Sequence, residues 1–96
     1  MVTKEEVIKV MKGIYDPELN IDIWTLGLIY TIDMGTKNHI HIKMTLTSPL
    51  CPFGPQIIAE LTDGLKKMGF PKPEIELTFD PPWEPNEEVK MMLGLN

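Results

Sequence analysis

Cys51 is the single cysteine of this 96-residue chain, and its setting is unusual: the run Thr47-Ser48-Pro49-Leu50-Cys51-Pro52-Phe53-Gly54-Pro55 contains three prolines. Pro52 holds Cys51 away from helical backbone angles. Proline is tolerated in a helix only near its first turn, so with Pro55 in place the helix marked by Ile57, Ile58, Leu61, Leu65 and Met68 begins within a few residues of the cysteine. A sulfur there meets free backbone amides and the positive end of the helix dipole, both of which favour a thiolate. The residues allow an outward-held, ionisable thiolate or a small buried hydrophobe. A stiff loop ahead of a helix is poorly suited to burial, which favours the thiolate.

One thiolate does not close a metal site. Zinc and iron–sulfur centres take about four ligands, and the chain has no Cys-x-x-Cys. A metal held by Cys51 is therefore expected to be shared with another chain, in a site that is open and labile and suits transfer better than storage. Thr47, Ser48 and Pro52 shape the loop around the sulfur. Asp16 and Glu18 flank Pro17 in a turn, where the two carboxylates serve either acid–base work or local hydrogen bonds. His39 and His41 lie two apart on a predicted strand and share a face, as a chelating pair or as ordinary solvent-facing residues. With Cys51 as nucleophile, either histidine as base would make a thiol enzyme. Trp83, rigidly presented after Pro81-Pro82, either packs over the sheet edge or anchors a partner.

The elements that position these residues are legible in the periodicity. Residues 3–15 predict a helix: Thr3 and Glu6 fit a capping box, and Val7, Ile8, Val10, Met11 and Ile14 form an apolar stripe ended by Asp16-Pro17. Pro17 to Asn20 is a turn, and Ile21 to Leu26 is irregular or briefly extended. From Leu28 to Met34 the period becomes two, with Leu28, Tyr30, Ile32 and Met34 on one face. After a hairpin loop at Gly35–Asn38, Ile40, Ile42, Met44 and Leu46 alternate with His39, His41, Lys43 and Thr45. Lys43 is placed to pair with Glu76 across the outer face. The second helix ends at Gly69, with Pro71 preventing its resumption. Glu74 to Asp80 is a third strand with Ile75, Leu77 and Phe79 inward. Asp80 to Pro85 is irregular, and Asn86 or Glu87 starts a short last helix with Val89, Met92 and Leu93 on one side.

The expected fold class is α+β: a two-layer sandwich in the order α-β-β-α-β. Its three-stranded mixed sheet is covered on one face by two helices, and a proline-rich segment and short helix follow. Residues 1–96 are expected to form one domain. The sequence shows no signal peptide and no apolar run long enough to span a membrane, so the expected compartment is the cytoplasm. Nine lysines and no arginine face fourteen acidic residues, for a net charge of −5. An acidic chain without the arginine fork is a poor nucleic-acid partner, and the Gly-x-x-Gly loop of a KH-type RNA binder is missing. P-loop, dinucleotide-binding and serine-hydrolase motifs are missing too.

Four motifs in order carry a family likeness: Asp16-Pro17-Glu18, Leu26-Gly27-Leu28-Ile29-Tyr30, Thr45-Leu46-Thr47-Ser48-Pro49-Leu50-Cys51-Pro52 and Asp80-Pro81-Pro82-Trp83. Together they resemble the small SufT-like and PaaD-like domains of iron–sulfur protein maturation. The resemblance implies a two-layer α+β fold and a non-enzymatic assembly, carrier or targeting factor that handles a transient iron–sulfur cluster. It implies that Cys51 is the family's loop cysteine and that Asp16 and Glu18 are its acidic turn. Implied partners are iron–sulfur assembly proteins or client apoproteins, with a homodimer as a further possibility; a metal-free interaction adaptor in the same pathway is the alternative. The likeness lapses after Trp83. The cysteine-rich C-terminal region of the longer phenylacetate-pathway relatives is missing, so no cluster or zinc site is expected there.

Overall fold

The computed structural model describes residues 2–35 and 38–94. Thr36 and Lys37, in the expected hairpin loop, lie outside the described residues. Helix α1 (Lys4–Met11) starts at the N-cap Thr3, whose hydroxyl oxygen accepts from the Glu6 amide at 3.2 Å. The Glu6 carboxylate accepts from the same hydroxyl rather than reaching back to the cap's amide. The helix stops four residues short of the expected end. Its last turn tightens through bonds from Gly13 to Val10 and from Ile14 to Met11, and the chain then enters a two-stranded hairpin, β1 (Tyr15–Asp16) and β2 (Ile21–Asp22). Ile14 keeps its place in the core. The turn between these strands is the expected one, and Asn20 takes the left-handed conformation that asparagine tolerates.

The main sheet contains β3 (Ile29–Asp33), β4 (His41–Met44) and β5 (Glu74–Leu77), in that spatial order. β3 and β4 are antiparallel, whereas β4 and β5 are parallel. The parallel pair requires a crossover, supplied by α2 (Gly54–Lys67). The expected three-stranded mixed sheet is therefore present. A register shift between Ile29 and Thr31 breaks the alternation of β3: Ile29 packs against the core, and the Tyr30 hydroxyl donates to the Pro81 carbonyl at 2.9 Å. Leu77 is half-exposed instead of inward, because β5 is an edge strand with a neighbour on one side only. Thr45 is buried with the core instead of facing outward.

Val7 and Met11 of α1 meet Ile57, Leu61 and Leu65 of α2 over Ile42 and Met44 of β4, all of them buried. Gly64 lets the two helices approach, since a Cβ there would lie 2.9 Å from Val10 Cγ1. After α2 a Schellman motif follows Gly69: the Gly69 amide bonds to the Lys66 carbonyl and the Phe70 amide to the Leu65 carbonyl. Gly69 has φ +113°, which glycine adopts without strain. Beyond β5 the proline segment leads to α3 (Glu87–Leu93), capped by the Asn86 side chain on the Val89 amide at 2.9 Å. Val89 is buried, whereas Met92 is exposed, contrary to the pattern expected for this helix.

Candidate functional site

Three segments build the site, the first early in the sequence and the other two consecutive. The first is the hairpin turn. Asp16, at the end of β1, is fully buried, and its Oδ1 accepts from the Glu18 amide at 2.8 Å. This Asx-type turn is what the Asp-Pro-Glu sequence encodes, and it fixes the backbone from which the Glu18 side chain leaves. The other oxygen, Oδ2, is buried with no hydrogen-bond partner. The second segment is the loop after β4. The Ser48 hydroxyl accepts from the Leu50 amide at 3.1 Å, and the Cys51 amide donates to the Ser48 carbonyl at the same distance. These bonds hold Pro49 to Cys51 in a tight bend. The third is the start of α2, where Phe53 is the N-cap residue and Pro55 sits in the first turn.

These segments bring Cys51 Sγ to 3.6 Å from Glu18 Oε1. The sulfur is at the helix start, as expected, but it does not face outward: Cys51 is only 9% exposed. Its thiol is pushed up from the ordinary value of 9.0, not down. Burial is the main cause. The backbone amide of Phe53 acts in the lowering direction, but the charge of Asp16 and the contact with Glu18 add to the burial effect. The helix-terminal amide that should favour the thiolate is thus present and outweighed. The expectation of an outward, ready-ionised sulfur is corrected on this point.

Trp83, His39 and His41 make their side-chain contacts with other partners. Trp83 packs partly buried against the core, and its indole N–H donates to the Leu26 carbonyl at 2.6 Å. His39 lies 3.7 Å from Glu74, and His41 lies 3.1 Å from Glu76. Glu76 therefore pairs with His41 and not with Lys43, although Lys43 is its register partner. Among the described residues, no three His, Cys, Asp or Glu side chains converge on one metal position. Pro52 is exposed, and Thr47 and Ser48 are half-buried.

Two features were beyond the reach of sequence reasoning. The contact between Glu18 and Cys51 spans 33 residues, and no local signal announces it. Leu50, next to the nearly buried sulfur, is 88% exposed. Its place between Pro49 and Cys51 gave the one available hint, because a loop this stiff holds its side chains in fixed directions.

An iron-sulfur cluster assembly protein family model matches residues 4–73, most of the chain and all three segments of the site. The chain belongs to that family. A relative from Porphyromonas gingivalis, named Fe-S protein maturation auxiliary factor, is 34% identical over 96 residues, covering 96% of this chain and 91% of its own. The Staphylococcus aureus Fe-S protein maturation auxiliary factor SufT is 39% identical over 87 residues, covering 86% of this chain and 99% of its own. Among solved structures, a conserved hypothetical protein from Thermotoga maritima superposes with a TM-score of 0.84 at 39% identity, over 97% of this chain and 95% of that one. This family of iron–sulfur cluster assembly proteins is the one the four sequence motifs resemble, and its mixed α+β architecture is the fold found here.

Proposed function

We propose that this chain is a non-catalytic factor of iron–sulfur protein maturation that carries or hands on a cluster through Cys51. The relatives named as maturation auxiliary factors support the role. The observation that carries the site is the contact of Cys51 Sγ with Glu18 Oε1 in the loop just before α2, near the buried Asp16 carboxylate. One thiol and one adjacent carboxylate are donors that fit iron but do not enclose it, so the cluster is cargo completed by a partner's ligands. The partners are assembly proteins or client apoproteins, and the reading places this exchange in the cytoplasm. Anaerobic incubation with ferrous iron and sulfide should give visible absorbance that Cys51→Ser abolishes. A protein that stays colourless under conditions that load a known scaffold protein would overturn carriage.

A second reading, a metal-free adaptor, is favoured by Leu50. Leu50 is 88% exposed beside the shielded thiol, and on this reading it is the side chain that another protein docks on. It replaces Trp83 as the partner anchor, since Trp83 is engaged with Leu26. For this reading, capture of an apo-form iron–sulfur client should survive Cys51→Ala and be lost in Leu50→Asp. Loss in Cys51→Ala with retention in Leu50→Asp would reject it.

A further inference from the structure

β3 is an edge strand: β4 pairs with one side of it, and no strand pairs with the other. Outside the ladder with β4, residues 29–33 make no backbone–backbone hydrogen bond among the described residues. Such an edge is a template for a further extended chain. A cleft of about 270 Å³ lies beside it, bordered by the consecutive residues Ile29, Tyr30, Thr31 and Ile32. Side chains on a strand alternate between faces, so four in a row border one cleft where the cleft follows the strand's edge. Trp24 and Lys4 complete its lining. A second cleft, of about 440 Å³, shares Trp24 and Ile29 with the first and extends to Lys12, so the two adjoin at Trp24.

Charge selects the occupant. Among the described residues, Lys4 is the only charged one that lines the first cleft. It sits at the first position of α1, where the positive end of the helix dipole disfavours a cation, and it forms no ion pair among the described residues. Its neighbours Glu5 and Glu6 do not line the cleft, nor does Asp33 at the end of β3. In the second cleft, Glu88 offsets Lys12. The chain has a net charge of −5, so an acidic segment is repelled by most of the surface and attracted here. The other edge strand, β5, carries Glu74 and Glu76 and repels it.

We propose that the free edge of β3 docks an extended, acidic segment of another protein. The segment adds to the sheet as a further strand, lays an apolar side chain against Trp24 and sets a carboxylate on Lys4. The lining shares no residue with the hairpin turn or with the loop before α2, so the proposal stands whether or not Cys51 holds cargo.

The blocked peptide acetyl-Asp-Val-Thr-Val-Thr-amide, titrated to millimolar concentration into the full, isotope-labelled chain, tests this by nuclear magnetic resonance. The amide signals of residues 29–33 and the Trp24 indole N–H should shift, and hydrogen exchange along β3 should slow. Lys4→Glu suits the helix dipole and so leaves folding intact; it should weaken binding at least about fivefold. Cys51→Ser should leave binding unchanged. A peptide with proline as its third residue cannot continue the ladder and should not bind. Shifts absent, or confined to residues outside the two clefts, would overturn the proposal. Equal binding of the proline peptide would reject strand addition, and equal binding of a peptide with lysine in place of aspartate would reject the acidic occupant. If the β3 amides shift on dilution of the chain alone, a second copy fills the edge and the proposal fails.

Discussion

The chain places ionisable side chains in two regions and treats them in opposite ways. Along the β4–β5 pair, His39 contacts Glu74 and His41 contacts Glu76, both offset from the strand register, with all four side chains solvent-accessible. At the hairpin turn, Asp16 is fully buried, one of its oxygens is unpartnered, and a nearly buried thiol stands beside it. The sheet-face pairs are geometrically better satisfied, yet water screens them and they contribute little. The buried group is worse satisfied and costs stability, which evolution tolerates where the group has work to do. Incomplete satisfaction, more than the number of charged residues, separates the candidate site from the ornamented surface.

Several experiments would break or sharpen this contrast. The largest effect is expected from Gly54→Ala, at the first position of α2. A Cβ there would lie 2.6 Å from Leu46 Cδ1, and Leu46 is packed in the core. Overpacking should cost about 1–3 kcal/mol in chemical denaturation and disturb the helix start behind Cys51. An unchanged midpoint would mean that the loop yields more readily than its three prolines suggest.

Asp16→Asn should leave the fold intact and raise the stability of the metal-free protein by about 1 kcal/mol, because it removes the charge from a sealed oxygen while Oδ1 still accepts from the Glu18 amide. Urea denaturation measures this; a clear loss of stability would mean that the carboxylate is satisfied after all.

The thiol supplies a pH test. Its folded-state pKa is raised, so the folded state holds the proton more tightly than the unfolded chain does. Its contribution to stability is complete below the ordinary value of 9.0 and declines as the pH climbs from there toward the folded-state pKa. Alkylation of the metal-free protein at neutral pH should be slower than that of a free thiol. It should accelerate in Glu18→Gln, since removing that neighbouring charge favours the thiolate. A slower reaction in Glu18→Gln would show the carboxylate acting as a base for the thiol.

The smallest effect belongs to the sheet face. His41→Gln and Glu76→Gln should each change stability by less than about 1 kcal/mol, and the change should shrink further in high salt. A loss as large as that of Gly54→Ala would erase the distinction between the two regions.

Most of the frame follows from local sequence. The caps at Thr3, Gly69 and Asn86, the crossover helix, the alternating strand at 41–44 and the turn after Asp16 all arise from interactions within a few residues. The misreadings share a cause. Helix α1 ends early because its continuation is drawn into pairing between β1 and β2. The β3 face changes at a register shift that no periodicity count detects. Leu77 and Met92 are exposed because apolar character says nothing about whether a neighbour exists to cover it.

The candidate site divides along the same line. By itself, the sequence determined that a lone cysteine precedes a helix, that Asp16-Pro17-Glu18 forms a turn and that three prolines stiffen the loop, since each is a matter of local backbone sterics and short-range hydrogen bonds. Only the tertiary structure decided that the turn reaches the loop, that Glu18 meets the sulfur across 33 residues and that the thiol keeps its proton. The physical reason is that burial and charge proximity depend on everything packed around an atom. The local amide that would ionise Cys51 is outweighed by desolvation and by two carboxylates delivered from another part of the chain.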